Sequence, residues 1–496
     1  MADFLEDLGH GGGLIRVEAE VDPILEAAEI TARVAAGGGP ALLFGSVKGH
    51  EIPLLTNLLG GESRILRALG ASSLEEVAGR IAALARPAEP EGWFDRLKTA
   101  PHVAVLGSLP PRRVKAGPCQ QVVRLGRDVD LGVLPALQSA PGEAGRAITA
   151  AMLVTADPDS HQPAGGRFDL QVLAPARLAV CWAAHDEPAR LAAEYRRRNQ
   201  AMPLAIVLGG DPTVLLAACA PLPPGVDPCT LAGLLRQKPL DTVACRSVDL
   251  AVPAEAEIVL EGQIDPAEPP QTAGPLVTPL GHYSVPQPAP VMHVTAITHR
   301  ANPIFPAVVS TRIASSRRTQ LPLRLPRDGA EAPSYELCVT DRALARIFLP
   351  LVKLAIPELV DYDLPAFAAA RHWLSVSIQK TYAGQARRVA NALWGQRQFM
   401  FAKMLVVVDE DVDVHDHAAV LAAIAENVHP GRDTFVAQGP SDPFDPAAVP
   451  DVLGHRMAID ATAKLPAEHG ASQPPRAEMS PVVRQLVDGR WPQYGL

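Results

Sequence analysis

The sequence predicts a mixed protein with an α/β domain, a β-rich central domain and a second α/β domain. Helical and strand-like patterns alternate over residues 1–110, and strand-like runs dominate residues 111–315. Helical patterns and a continuous apolar strand return over residues 316–465, before a polar tail at 466–496. A chain of 496 residues is too long for one compact core of ordinary size, which favours two or three domains.

The first domain carries clear local signals for helices and strands. Asp22-Pro23 predicts the start of a helix, and the run at residues 41–44 predicts a short buried strand. Ser73 and Glu76 have the spacing of a capping box at the start of another helix. These signals predict a small α/β domain.

The central domain is predicted from short strands separated by Gly, Pro and Asp turns, which indicates a barrel or a sandwich. One helix, at residues 187–199, interrupts the strands. The predicted strands are residues 120–125, 148–155, 178–182, 204–208 and 257–260.

In the last domain, the apolar run at residues 404–409 is typical of a strand in a parallel sheet. Asp416 is placed to cap a helix over residues 418–427, and a short helix is predicted at 481–488 in the tail.

Composition excludes several classes of protein. The net charge is −9 without a block of like charge, which argues against a nucleic-acid partner. No apolar run reaches the roughly 18–20 residues of a membrane span, and the acidic N-terminus lacks a signal core. The six cysteines form no CxxC pair and predict reduced thiols in a cytoplasmic protein.

Ten segments occur in the order found in the UbiD family of prenylated-flavin decarboxylases, which this chain resembles over roughly residues 1–464. They lie at residues 3–8, 39–44, 148–149 with 157–158, 171–173, 210–212, 232–235, 257–262, 297–300, 382–386 and 459–462. The resemblance implies an N-terminal α/β domain, a central split β-barrel that binds the flavin, and a C-terminal α/β domain used for oligomerisation.

The resemblance also implies a chemistry. Family members carry prenylated FMN as an electron sink, with an arginine and two acidic residues for proton transfer. They also hold a divalent metal, typically Mn²⁺, at the flavin phosphate, together with a monovalent cation such as K⁺.

The three proton-transfer positions of the family hold other residues in this chain. The family's arginine position is occupied by Asp169, and its two acidic positions by Ala273 and Thr278. A threonine hydroxyl is too weakly acidic to replace a carboxylic acid. Arg167 lies two residues before Asp169, so strand alternation puts both on one face, and Arg167 is the expected partner of a buried Asp169.

Of the three metal-ligand positions, only the one at His185 keeps its family residue. The other two hold Ala164 and Pro228, which have no side-chain donor atom. Asp227, beside Pro228, is either a substitute ligand or the cap of a helix, and the Asp-Pro pair favours the cap. Mn²⁺ and K⁺ binding are therefore doubtful.

The flavin-binding positions are less altered. The resemblance assigns cofactor contacts to Thr149, His185, Pro221 and Lys403, with Pro221 ending a backbone cradle for the phosphate. Without the metal the phosphate loses its main counter-charge, which weighs against prenylated-FMN binding. Glu268 and His282 are candidates to replace the lost acids, but both are better explained as surface groups.

The preferred hypothesis is a UbiD-like chain with a degenerate site that serves as a non-catalytic partner subunit in an aromatic-acid carboxylase or decarboxylase. Phenylphosphate carboxylase, which combines several UbiD-like subunits, is the analogy. One alternative is an active decarboxylase of an aromatic or α,β-unsaturated acid with a relocated set, Asp169, Asp227 and His185. Another is a metabolite-binding protein on the same fold. A homo-oligomer or a hetero-oligomer with another UbiD-like subunit is expected.

Overall fold

Five β-sheets form among the residues that the computed structural model describes, which are 1–85, 110–223, 225–310, 336–365, 371–448, 453–469, 477 and 479–495. The strands are β1 Leu14–Val17, β2 Ala41–Phe44, β3 Leu54–Thr56, β4 Arg112–Val114, β5 Val122–Leu125, β6 Ala147–Ala156, β7 Pro163–Ala174, β8 Arg177–Cys181, β9 Met202–Leu208, β10 Asp241–Ala244, β11 Ala251–Pro253, β12 Ile258–Ile264, β13 Gln271–Ala273, β14 Gln287–Ala289, β15 Val291–His299, β16 Phe305–Ala307, β17 Leu359–Asp363, β18 Trp373–Ile378, β19 Met404–Asp409, β20 Thr434–Gly439 and β21 Gly454–Asp460.

Helices connect and cover these sheets. The α-helices of the described residues are α1 Ala2–His10, α2 Glu26–Ala36, α3 Glu62–Leu69, α4 Leu74–Ala85, α5 Glu187–Arg197, α6 Pro212–Cys219, α7 Pro228–Leu235, α8 Glu336–Ala355, α9 Gln385–Trp394, α10 His417–Asn427, α11 Pro430–Asp433, α12 Pro466–His469 and α13 Pro481–Arg490.

The N-terminal sheet has the order β1-β2-β3-β16. Its last strand, β16, comes from the far end of the predicted central domain and pairs in parallel with β3, with Phe305 opposite Leu54. Phe305 and Leu54 are both fully buried, which explains why this short strand is held there. The first domain is therefore completed by a segment that follows the barrel in the chain.

The central region is a closed barrel of six antiparallel strands in the order β12-β9-β6-β7-β8-β15. The pairing of β12 with β15 closes it, and β5 extends it beyond β15. Alternate residues point inward, so that Leu153, Phe168 and Ile206 share one buried core. The predicted flavin-type barrel is confirmed, and a sandwich is excluded.

The C-terminal sheet has the order β17-β18-β19-β21-β20. The central strand β19 pairs in parallel with β18 and β21, as the apolar run at 404–409 predicts. Helix α9 packs on one face, and α10 packs on the other. Asp416 caps α10 by accepting hydrogen bonds from the amides of Ala418 and Ala419, which confirms the predicted cap.

Two predicted helix starts differ in detail from the structure. Helix α2 begins at Glu26 rather than at Asp22-Pro23, because Leu25 has a positive φ and donates its amide to Gln138. In the predicted capping box, the amide of Glu76 donates to Ser73. The Glu76 carboxylate, however, accepts from Ser72 instead of returning a bond to Ser73.

Helix α8 joins the three parts of the molecule. Ala343, Leu344 and Ile347 pack with the N-terminal domain and the outside of the barrel, whereas Ala345 and Val352 pack with the C-terminal sheet. The predicted boundary between residues 315 and 316 lies outside the described residues, and the domain limits stay predictions. Within the described part of the chain, no helix combines the length and apolarity required to cross a bilayer.

Candidate functional site

A cleft of about 300 Å³ opens between the barrel and the C-terminal domain. Strand β7, the end of α6 and the loop at residues 273–279 line its barrel side. Helix α8 and C-terminal segments line the opposite side. The volume lies at the lower end of the range for small-ligand pockets, roughly 300–1,000 Å³.

Strand β7 divides its side chains between the barrel interior and this cleft. Ala164 belongs to the barrel core, Arg167 and Asp169 line the cleft, and Phe168 contributes to both. Arg167 Nη2 lies 2.7 Å from Asp169 Oδ1, with 13% and 15% of the two side chains exposed. Burial raises the pKa of Asp169, and the neighbouring Arg167 opposes that shift. The structure thus pairs Asp169 with the expected arginine.

The loop after β13 brings Ala273 and Thr278 to the same cleft. The side-chain oxygen of Gln171, on β7, accepts the amide of Gly274 at 2.7 Å and holds the loop against the strand. Ala273 and Thr278 are only 2% and 3% exposed. The Thr278 hydroxyl accepts the amide of His282, so it serves the turn rather than the cleft. Neither side chain supplies a carboxylic acid there.

His185 lies in the cleft but without the other members of a metal site. Its ring packs edge-on against Phe401, at 5.0 Å between centroids, and its Nε2 is 3.8 Å from Asp186. Burial lowers the pKa of His185, which favours the neutral ring. In the described portion of the chain, no group of three or more His, Cys, Asp or Glu side chains is placed to hold a metal ion.

Asp227 acts as the cap of α7. Its carboxylate accepts the amide of Cys229 at 2.9 Å and the hydroxyl of Thr230 at 3.3 Å, which leaves Pro228 as the first residue of the helix. Asp227 is not among the residues that line the cleft. The helix-cap explanation therefore holds, and the relocated set of Asp169, Asp227 and His185 does not come together.

Two of the four predicted cofactor contacts, Thr149 and Lys403, are not among the residues that line the cleft. The Thr149 hydroxyl donates to the carbonyl of Val308 at 2.8 Å and accepts its amide at 2.9 Å, so both of its roles are taken. The Lys403 ammonium pairs with Asp445 at 2.7 Å. Of the predicted set, His185 and Pro221 line the cleft.

The two candidate replacement acids also lie elsewhere. Glu268 accepts hydrogen bonds from Arg177 and His293, and these bonds lower its pKa. His282 is exposed on the turn that follows Thr278. Neither belongs to the cleft lining, which agrees with their interpretation as surface groups.

Five charged residues of the cleft carried no signal in the sequence. One lies on helix α8 and the others lie on connecting segments, and they are Asp186, Asp341, Arg371, Arg397 and Asp442. Burial raises the pKa of Asp341, opposed by Arg371 and Arg167. No short motif links these positions, because long-range packing alone brings them together.

The two cysteines of the cleft are poor nucleophiles. Burial raises the pKa of Cys181 and of Cys219 to about 12 in each case. Both therefore stay thiols at neutral pH, and thiolate chemistry is excluded at these two positions.

Three family models match the chain along most of its length. The N-terminal, Rift-related and C-terminal domains of 3-octaprenyl-4-hydroxybenzoate carboxy-lyase match residues 5–83, 112–313 and 338–461, respectively. The chain belongs to the UbiD family. It is also 38% identical to an uncharacterized protein of Aquifex aeolicus over 100% of this chain and 98% of that protein.

Solved structures of UbiD-class enzymes share the fold. The chain resembles HmfF from Pelotomaculum thermopropionicum in complex with FMN, with 28% identity, a TM-score of 0.75 and coverage of 98% of this chain and 99% of HmfF. It also resembles the closed form of the vanillic acid decarboxylase of Sedimentibacter hydroxybenzoicus, ShVdcCD. That match has 26% identity, a TM-score of 0.83 and coverage of 99% of this chain and 98% of the other.

The residues present do not fit a flavin anchored by a metal. Ala164 and Pro228 offer no ligand atom, and the Lys403 ammonium is paired outside the cleft. These three positions therefore supply neither a metal ligand nor an unpaired ammonium, although the cleft itself is open.

Proposed function

We propose that this chain is a UbiD-family subunit that does not perform the family's proton transfer itself and works as the partner of a catalytic subunit. The observation that carries the proposal is the ion pair of Arg167 with Asp169 beside Ala273 and Thr278. The position of the family's arginine holds an acid, and both acidic positions hold side chains that do not titrate near neutral pH.

The balance of charge between Arg167 and Asp169 in the cleft supports this function. A carboxylate at position 169 without a partner would be costly to bury, and Arg167 removes that cost by pairing with it. The charge of Asp169 is thus balanced by Arg167 and needs neither a cofactor nor a metal to compensate it. Such a site suits a chain that keeps the shape of its family while the chemistry takes place on another subunit.

One of the similar solved structures supports a role as part of a multi-subunit assembly. ShVdcCD, which resembles this chain over nearly its full length, includes a ShVdcD component. We extend only the presence of a second component to this chain, and we further propose that this partner is a UbiD-like subunit that carries the arginine and both acids. The assembly would act on an aromatic acid.

Purification of the tagged full-length chain from its native cell tests the proposal. We expect a UbiD-like partner with an intact set of arginine and acids to co-purify. The isolated chain, produced together with a flavin prenyltransferase, should show neither the absorption of a modified flavin nor release of CO₂ from aromatic acids. A flavin-loaded homo-oligomer that releases CO₂, and loses this activity in Asp169→Asn, would refute the proposal.

One observation favours a second function, an active decarboxylase with new acids. Asp169 and Asp341 both line the cleft, and burial raises the pKa of each, as a general acid requires. This candidate replaces the earlier set that included Asp227. It predicts that Asp169→Asn and Asp341→Asn each abolish turnover in the flavin-loaded chain, whereas Asp227→Asn leaves turnover unchanged.

A further inference from the structure

Most charged groups of the cleft are already neutralised by neighbours. Arg167 is bonded to Asp169, and Arg397 donates to Asp186 at 3.1 Å. Asp442 accepts His372 Nε2 at 2.9 Å and the amide of Phe444 at 2.9 Å. Each of these groups therefore already has at least one hydrogen-bond partner of its own.

Arg371 and Asp341 are different. Arg371 Nη2 is 3.8 Å from Asp341 Oδ2, and Nη1 is 3.9 Å from Asp442 Oδ2, so both contacts are too long for hydrogen bonds. Within the described residues neither Arg371 nor Asp341 forms a side-chain hydrogen bond, and 27% and 28% of the two side chains stay exposed in the cleft. This leaves one donor fork and one acceptor pair open to a ligand.

The two open groups have opposite charge and lie side by side. A simple anion on Arg371 would also meet the carboxylates of Asp341 and Asp442, and a simple cation on Asp341 would meet the guanidinium. A ligand with an adjacent carboxylate and ammonium satisfies both groups at once. Its carboxylate accepts from Arg371, and its ammonium donates to Asp341.

The other residues that line the cleft favour a ligand whose remaining part is apolar. Leu337 and Leu344 of α8 and the rings of Phe401, Phe444 and Trp182 form apolar walls. Arg371 is fixed over the ring of Phe444, at 5.5 Å from its centroid, which orients the fork. A cavity of about 300 Å³ suits a small molecule with one apolar or aromatic group.

We propose that the cleft binds a zwitterion, an α-amino acid with a large apolar or aromatic side chain, held between Arg371 and Asp341. This goes beyond the partner role above, because it gives the cleft of the non-catalytic subunit a ligand of its own. Co-purification of a catalytic partner tests the first proposal, and the titration below tests only the second.

Isothermal titration of the full-length chain, produced without a flavin prenyltransferase, uses three matched probes at pH 7. They are L-phenylalanine, 3-phenylpropanoate, which lacks the ammonium, and 2-phenylethylamine, which lacks the carboxylate. We expect phenylalanine to bind at least about tenfold more tightly than either analogue, because each analogue leaves one buried charge facing a like charge.

Two variants test which residue binds the carboxylate of the ligand and which binds its ammonium. Asp341→Asn should weaken the binding of phenylalanine by about tenfold and strengthen the binding of 3-phenylpropanoate. Arg371→Gln should weaken the binding of phenylalanine and strengthen the binding of 2-phenylethylamine. Misfolding would weaken the binding of every probe, so it cannot explain a variant that binds one probe more weakly and another more tightly. The exposed residues Arg127 and Asp128 lie outside the cleft lining, and their variants Arg127→Gln and Asp128→Asn serve as matched controls with unchanged binding.

The proposal is overturned if 3-phenylpropanoate binds the unaltered chain as tightly as phenylalanine, or if none of the three probes binds at millimolar concentration. It is also overturned if phenylalanine binds and neither cleft variant changes its affinity. Should one variant fail to fold, as judged by circular dichroism, the probe series on the unaltered chain still decides.

Discussion

At the scale of single residues, the cleft shows how a guanidinium and a carboxylate can share a site from unfamiliar positions. Arg167 and Asp169 lie two residues apart on β7, so the pleat directs both into the cleft. Their bond of 2.7 Å compensates two side chains that are each about 85% buried. Neither charge is tolerable alone, which is why the two residues are best understood as a unit.

We predict that Asp169→Asn and Arg167→Gln each lower the free energy of unfolding by about 1–3 kcal/mol, since each leaves an unpaired polar group. The double variant should cost less than the sum, with a coupling of about 1–2 kcal/mol, because a neutral amide pair replaces the ion pair. Urea unfolding of the four proteins measures the coupling. Strict additivity of the two single effects would show that the pair is not a unit.

Much of this residue-scale arrangement could be predicted. The register of residues 164–171 places Asp169 at the family's arginine position, and strand alternation predicts Arg167 as its partner. The partners of Thr149 and Lys403 could not be predicted from the sequence. Thr149 bonds Val308 and Lys403 pairs with Asp445, and both partners are remote along the chain. A register indicates which residues share a face, whereas hydrogen bonds depend on what the fold brings near.

At the scale of elements, helix α8 divides two cavities. Leu337, Asp341 and Leu344 line the cleft, whereas Arg342 and Arg346 line a second cavity of about 340 Å³ on the N-terminal side. The spacing of each set is helical, so one helix presents a different face to each cavity. Arg346 bonds both Glu75 of α4 and Asp361 of β17, which ties the N-terminal domain to the C-terminal sheet.

The first residue of α8, Glu336, provides a test of how the helix is anchored. Its Oε1 accepts the amide of Leu59 at 2.7 Å, and the side chain is almost fully buried, with a residue exposure of 3%. Burial raises the pKa of Glu336 to about 7 from an ordinary value of 4.5. The native state therefore binds the proton more tightly than the unfolded chain does, and stability falls as pH rises from 4.5 through about 7.

We predict that Glu336→Gln keeps the bond to Leu59 and removes this loss. Relative to the unaltered chain, the variant should be more stable by about 1–3 kcal/mol at pH 8 and nearly equal at pH 4.5. Thermal unfolding at the two pH values measures the difference. An equal effect at both would mean that Glu336 does not titrate in this range.

Elements were predicted more reliably in their interiors than at their ends. Strand β19 and helix α10 occur where their apolar patterns place them, because burial of those faces drives both elements. The start of α2 was predicted too early, since a contact between Leu25 and Gln138 redirects the chain. A local pattern such as Asp-Pro carries no information about a contact with a residue that is remote in sequence.

At the scale of the whole molecule, the tail stands apart from the rest of the chain. Helix α13 has no buried residue, although Val482, Leu486 and Trp491 are apolar and exposed. By contrast, Glu468 of α12 bonds Lys380, whose side chain is 3% exposed. Among the described residues beyond 469, which are 477 and 479–495, none is buried.

We predict that a chain ending at residue 469 keeps its Tm within about 1 °C of the full-length value, because the described residues that it lacks, 477 and 479–495, include no buried side chain. A chain ending at residue 465 should unfold several degrees lower, since Lys380 loses its partner Glu468. Differential scanning calorimetry compares the three proteins. A clear drop in Tm for the chain ending at residue 469 would show that the residues beyond it pack on the rest of the protein.

The sequence by itself determined that the fold is that of the UbiD family, because collinear motifs establish the register along the chain. The tertiary structure alone decided that β16 completes the N-terminal sheet, that Asp227 caps a helix outside the cleft, and that Asp341 and Arg371 meet inside it. These outcomes depend on contacts between residues that are remote in sequence, and such contacts form when apolar faces of separate elements are buried together.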